Sequence, residues 1–214
     1  MPSSLLLLQL ADSAFPTGGF VHSGGLEAAS VLGLTQDLHG WLLDGLENAG
    51  WSALPMATVG GDDHAQADAA AESWLTNQVA HRASRAQGQG WVTTAAAVFP
   101  SPEFTVLKQT CRLPGRGHLA PTFGHVCRRL NIAVSDMQRL FLFLHLRGQI
   151  STAIRLGRVG PLEAQRLQAR LMPALEVVLE SCASLTLDDL ATTAPLHDLA
   201  HGHHDRLYSR LFTT

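Results

Sequence analysis

Along this chain apolar residues recur at helical spacing far more often than they alternate. Gln36–Gly50 sets Leu38, Trp41, Leu42 and Leu46 on one face, with Gly50 as a stop and Pro55 as a fresh start. Gly60-Gly61-Asp62-Asp63 reads as a loop. The spacing then predicts one long helix from about Ala65 to Gln87, with Trp74, Leu75, Gln78, Val79 and Arg82 along one side. Gly90 is expected to kink its continuation, and Trp91–Phe99 resumes as helix. A shorter helix, Glu103–Arg112, follows Pro100 and Pro102 and runs into a loop at Leu113–Gly117.

Ser135–Leu156 carries Leu140, Phe143, Leu146, Ile150 and Ile154 as a stripe. Arg139, Arg147 and Arg155 recur along the same segment as a candidate contact surface. Leu162–Ser181 presents Leu167, Leu171, Ala174, Val178 and Cys182 on one face, with Pro173 placed to bend it. Thr186 caps a short helix at Leu187–Ala191. The expectation is therefore an all-α chain, residues 1–214 forming one compact domain of about nine or ten helices. Residues 201–214 read as a tail free to order on a partner.

One segment departs from the helical pattern. Ala11–Ala29, ADSAFPTGGFVHSGGLEAA, joins two apolar runs through Pro16 and Gly18-Gly19, and so reads as helix, irregular turn, helix. Asp12, Ser13, His22 and Ser23 are the residue types of a hydrolase triad, but no G-x-S-x-G elbow surrounds them. TGGF is not a phosphate-cradling loop either. A packed turn that sets an interhelical angle accounts for the segment better than catalysis does.

Composition narrows the picture further. Leu and Ala dominate, and 46% apolar residues suffice for a substantial core. Cys111, Cys127 and Cys182 are widely spaced and outside any C-x-x-C pair, as reduced cysteines of a cytosolic protein would be. The opening MPSSLLLLQLADSAF lacks the basic region of a secretory signal, and no run is long enough to span a bilayer. The reading is cytoplasmic, with no membrane partner. Residues 1–81 hold nine acidic side chains and no Lys or Arg, whereas residues 82–214 hold all 15 bases against nine acids. Such polarity suits self-association or protein partners; with Arg128-Arg129 the only adjacent basic pair, nucleic acid is not expected.

Five ordered blocks resemble the urease accessory protein F family (UreF), in a pattern nearest to plant-like and other eukaryotic members. They are D-S-x-x-P-T-G-G-F-x-H-S-x-G-L-E-A within residues 11–29, L-T-N with R-A-S and Q-G at 75–88, H-x-A-P-x-F-G at 117–124, R-L-G-x-V-G-P at 155–161, and L-Y-S-R-L-F at the end of 204–212. The resemblance implies an all-α homodimer without enzymatic activity. It would bridge a nickel-carrying GTPase (UreG-type) and a UreD/UreH-type accessory protein for nickel insertion into apo-urease. No tightly bound cofactor is implied, and nickel would pass transiently.

On the motif positions, the candidate partner-binding residues are Asp12, Ser13, Pro16, Gly18, Gly19, His22, Ser23, Glu27, Arg82, His118, Arg155, Tyr208, Arg210 and Phe212. No catalytic residue is assigned. Two rivals stand beside the scaffold: a nickel-binding metallochaperone using His201, His203 and His204, and a helical enzyme whose site is invisible in sequence. Residues 204–212, apolar and carrying the chain's single tyrosine, are expected to order on the UreD/UreH-type partner, the alternative being a tail folded back onto its own core.

Overall fold

The computed structural model describes residues 3–214, and among them it holds α-helices, short 3₁₀ turns and no strand. The helices are α1 (Ser3–Ala11), α2 (Leu26–Val31), α3 (Leu38–Ser52), α4 (Leu54–Asp62), α5 (His64–Trp74) and α6 (Gln78–Val98). They continue as α7 (Pro102–Thr110), α8 (Leu119–Arg129), α9 (Val134–Arg155), α10 (Pro161–Cys182) and α11 (Pro195–His203). The all-α expectation holds.

Four features differ from the sequence reading, three because glycines allow close packing and one because of a side-chain cap. Gly60 and Gly61 are not a loop: they lie inside α4 and let it meet α8 backbone to backbone. A Cβ on Gly124 would sit 1.7 Å from the Ala57 carbonyl oxygen, and one on Gly60 would sit 2.5 Å from Pro121 Cα. The long helix expected over Ala65–Gln87 is two, α5 and α6. Its break at Leu75–Asn77 is fixed by the Asn77 side chain, whose Oδ1 accepts the N–H groups of Val79 and Ala80 at the start of α6. Beyond that break the helix runs unbroken through Gly88 and Gly90 to Val98. Those glycines serve close approach instead. A Cβ on Gly90 would lie 2.3 Å from the Thr17 carbonyl oxygen, and one on Gly88 2.2 Å from that of Gly117. Gly50 likewise sits within α3, against Val178 of α10, rather than ending the helix.

The main core gathers α1, α3, α4, α6, α8, α9 and α10 around Leu42, Leu46, Leu54, Leu142, Ile150 and Leu171. An aromatic chain threads it: Phe15 meets Trp91 edge-on at 5.5 Å, Trp91 lies 4.7 Å from Phe123, and Phe123 lies 5.3 Å from Phe141. The expected stripe of α9 is buried at Leu140, Leu146 and Ile150 and half-buried at Phe143 and Ile154. Thr186 caps its short 3₁₀ helix as expected, in a reciprocal capping box with Asp189. The three cysteines are buried and unpaired. A second, smaller core of Leu26, Ala29, Trp41, Ala153 and Ala200 clamps α2 and α11 onto α3 and α9. This cluster brings the first and last segments of the chain together.

Candidate functional site

The irregular turn that follows α1 is built on left-handed backbone. Gly18, Gly24 and Gly25 have φ of 75°, 58° and 88°, a region that side-chain-bearing residues rarely adopt. Gly25 must also be glycine for space, since a Cβ there would lie 3.1 Å from the Cβ of His201 on α11. The turn is tied to the body by Thr94, whose hydroxyl donates to the Pro16 carbonyl at 2.7 Å. Arg147 and Arg155 of α9 donate to the carbonyls of Ala11 and Phe20. The arginine row is thus largely spent within the chain, and Arg139 pairs with Glu176.

Residues 204–214 lie on this turn. Glu27, buried at the start of α2, accepts hydrogen bonds from three tail groups: His204 Nε2 at 3.0 Å, the Leu211 N–H at 2.5 Å and the Phe212 N–H at 3.2 Å. The Ser23 N–H donates to the Thr214 carbonyl at 2.5 Å, and the Thr213 N–H to that of Val21 at 2.8 Å. His22 Nδ1 pairs with the Thr214 hydroxyl. Phe212, buried, presents its ring to Arg155, whose guanidinium carbon lies 4.2 Å from the ring centre. Asp205 is gripped by both guanidinium nitrogens of Arg82 and receives Arg210 as well at 3.3 Å. The Arg82 hydrogen bonds hold its carboxyl below the ordinary range.

Seven of the expected motif residues therefore meet at one junction, His22, Ser23, Glu27, Arg82, Arg155, Arg210 and Phe212, with Gly18 in the turn and Tyr208 on the exposed side of the tail. Gly19 and Pro16 shape the turn beside it. Asp12 and Ser13 stand apart and exposed, the Asp12 carboxylate accepting the N–H of Ala14 at 2.9 Å. Where the sequence reading left the tail free until a partner ordered it, buried His204 and Phe212 and the Glu27 carboxylate dock it on the chain itself. What the docked tail shows to solvent is Tyr208, fully exposed, with Arg206, Arg210 and Leu211 around it and Phe20 exposed on the turn.

No hydrolase geometry emerges, because His22 faces Thr214 and the Ser23 hydroxyl has no partner among the described residues. Nor does the tail gather its histidines into a ligand set. His204 is turned to Glu27, and His201 is packed beneath Gly25, where burial pushes its imidazole down to about 4.

His118 lies elsewhere, fully buried at the N-terminus of α8. Its Nε2 meets Glu72 Oε2 at 2.9 Å, and His81 Nε2 meets the same oxygen at 2.7 Å. The His118 hydrogen bond lowers the Glu72 carboxyl, while burial outweighs that carboxylate and lowers His118 too. The bond is thus one between a neutral imidazole N–H and a carboxylate. Sequence reasoning missed Glu72 and His81, because only the break at Leu75–Asn77 folds α5 against the start of α6.

Residues 34–172 match the UreF family model. Over most of its length the chain is similar to urease accessory protein F of Arabidopsis thaliana, with 36% identity over 95% of this chain and 90% of the relative. It is also similar to that of Oryza sativa subsp. indica, with 34% identity over 96% and 83%. A bacterial relative, urease accessory protein UreF of Mesorhizobium japonicum, is 32% identical over 99% and 97%. The motif blocks, the helical fold and these full-length matches together establish that the chain belongs to the UreF family, the non-enzymatic urease accessory proteins.

Proposed function

We propose that this protein is a scaffold of urease maturation, bridging a nickel-carrying GTPase and a UreD/UreH-type accessory protein so that nickel, the cargo, is delivered to apo-urease. The observation that carries the reading is the junction of turn and tail. It uses the family's first and last motifs as one unit, and it leaves Tyr208 fully exposed on a backbone already fixed by Glu27. A rigid aromatic side chain flanked by Arg206 and Arg210 is the composition of an interface anchor, and its prior ordering removes an entropic penalty from binding. We assign this surface to the UreD/UreH-type partner. A homodimer belongs to the same proposal, since exposed Leu5, Leu8 and Leu162 are apolar side chains that a second copy would cover.

Tyr208→Ala tests the assignment cleanly, because the ring makes no intramolecular packing to lose. Co-purification with the UreD/UreH-type partner should fall at least about tenfold, as expected for an anchor residue, while the melting temperature stays unchanged. Full retention of the partner by the variant would place that contact elsewhere.

A further inference from the structure

Among the described residues, one set of three side chains brings metal-ligating atoms together: Glu72 on α5, His81 on α6 and His118 at the start of α8, all within 4.8 Å of one another. We propose that these three residues form a binding site for a borderline divalent transition-metal ion, zinc or nickel in kind. The inference goes beyond the scaffold reading, since the protein can bridge its partners whether or not this site is filled.

The surroundings have the form of a prepared site. His118 cannot wander. Its ring is fully buried, and its backbone N–H and that of Gly117 donate to the buried Asp68 carboxylate, at 2.9 Å and 3.1 Å. Behind the ring, Nδ1 lies 3.3 Å from the Ser84 hydroxyl, which also accepts the Leu119 N–H at 3.1 Å. Arg85 fastens the loop that precedes His118 through the carbonyls of Leu113 and Arg116. The other two ligands face outward, with side chains 41% exposed for Glu72 and 25% for His81, so an ion has a route in and water a coordination position.

The chemistry follows from the hydrogen bonds. Without metal, the two imidazoles both point Nε2 at one carboxylate oxygen and donate their protons to it. An ion in their place needs both Nε2 lone pairs. An imidazole supplies one when its remaining proton sits on Nδ1, and on His118 the Ser84 oxygen is placed to accept that proton. An imidazole whose second nitrogen is held by an oxygen acceptor is the usual arrangement around a metal. Tetrahedral bonds of about 2.0–2.2 Å place ligand atoms about 3.3–3.6 Å apart, so the two histidine contacts to Glu72, at 2.7 Å and 2.9 Å, must each open by roughly half an ångström. Glu72, exposed at the end of α5, can provide that movement. Two imidazoles, one carboxylate and an open fourth position suit zinc, and imidazole-rich sets suit nickel as well.

The test is calorimetric titration of the full-length, chelator-treated protein with zinc chloride and, separately, nickel chloride. The proposal expects at least one of these ions to bind at one per chain. It also expects His81→Gln and Glu72→Gln each to weaken binding by more than about tenfold without lowering the melting temperature, and His203→Gln to leave it unchanged. Both substituted positions are partly exposed, so neither variant depends on tolerating a hole in the core. Absence of stoichiometric binding by either ion would overturn the proposal. So would wild-type affinity in His81→Gln and Glu72→Gln, which would place bound metal elsewhere, as on the tail histidines. Neither result bears on the Tyr208 co-purification, which measures the scaffold reading without added metal.

Discussion

At the scale of single residues, the junction depends on backbone geometry at one end and a buried charge at the other. Gly18 holds φ at 75°, yet no atom lies within 4 Å of where its Cβ would go. Any penalty for a side chain there is therefore purely conformational. Gly18→Val should lower stability by about 1–3 kcal/mol, read by thermal or denaturant unfolding, because a β-branched residue strongly disfavours positive φ. An unchanged melting temperature would mean the turn adopts another conformation in solution. Gly25 is constrained twice, by φ and by contact with His201, which explains the second glycine pair of the segment. Glu27 has the converse role: one carboxylate satisfies three donors that reach it from residues 204–212. In sequence it is merely an acidic residue in the first turn of a helix.

At the scale of elements, the tail behaves as part of the core. Removing residues 204–214 takes away the buried Phe212 and His204 and the three hydrogen bonds that the Glu27 carboxylate accepts. Burial of one Phe side chain contributes about 1.5–3 kcal/mol, and a hydrogen bond to a charged group about as much. For a chain of this length the melting temperature of the truncated protein should fall by roughly 5–10 °C. A truncated protein that melts with the wild type would show that the tail contributes nothing before partners arrive. The sequence reading expected that latter outcome, and the reason is instructive. Helix periodicity reported α3 and α10 well, since each keeps one apolar face over several turns, whereas α9 is buried on more than one face, with consecutive Leu140, Phe141 and Leu142 all in the core. It could not report what glycine did in α4, α6 and α8, where the residue marks helices in backbone contact rather than loops or kinks. The motif residues were legible as a set, but their convergence was not, because Glu27 and Phe212 are separated by nearly the whole chain. Glu72 and His81 escaped notice altogether, as the Asn77 cap between them breaks what looked like one helix.

At the scale of the whole molecule, three histidines make stability dependent on pH. Burial pushes His145, His197 and His201 each down to about 4 from an ordinary value of 6.5. Between those values the unfolded chain binds protons that the folded chain refuses, so stability is complete above pH 6.5 and falls as pH drops toward 4. The full loss is on the order of 1–3 kcal/mol for each histidine. Melting temperatures measured from pH 7.5 to 4.5 should decline steadily below pH 6.5, and a flat profile would mean these rings are solvated in solution. Charge is also distributed unevenly along the chain, the first 81 residues carrying no Lys or Arg. Arg128 of the basic part pairs with Asp62 of the acidic part at 3.1 Å, so part of that polarity joins the two. Among the described residues no helix is long and apolar enough to cross a membrane. The first and last motifs of this accessory protein meet at one junction, and the role proposed for it is bridging. The direct measurement is a pull-down on the immobilised UreD/UreH-type partner, with the nickel-carrying GTPase added in the presence or absence of this protein. Bridging predicts that the GTPase is retained only when this protein is present, and that Tyr208→Ala releases both together. Equal retention of the GTPase without this protein would contradict it.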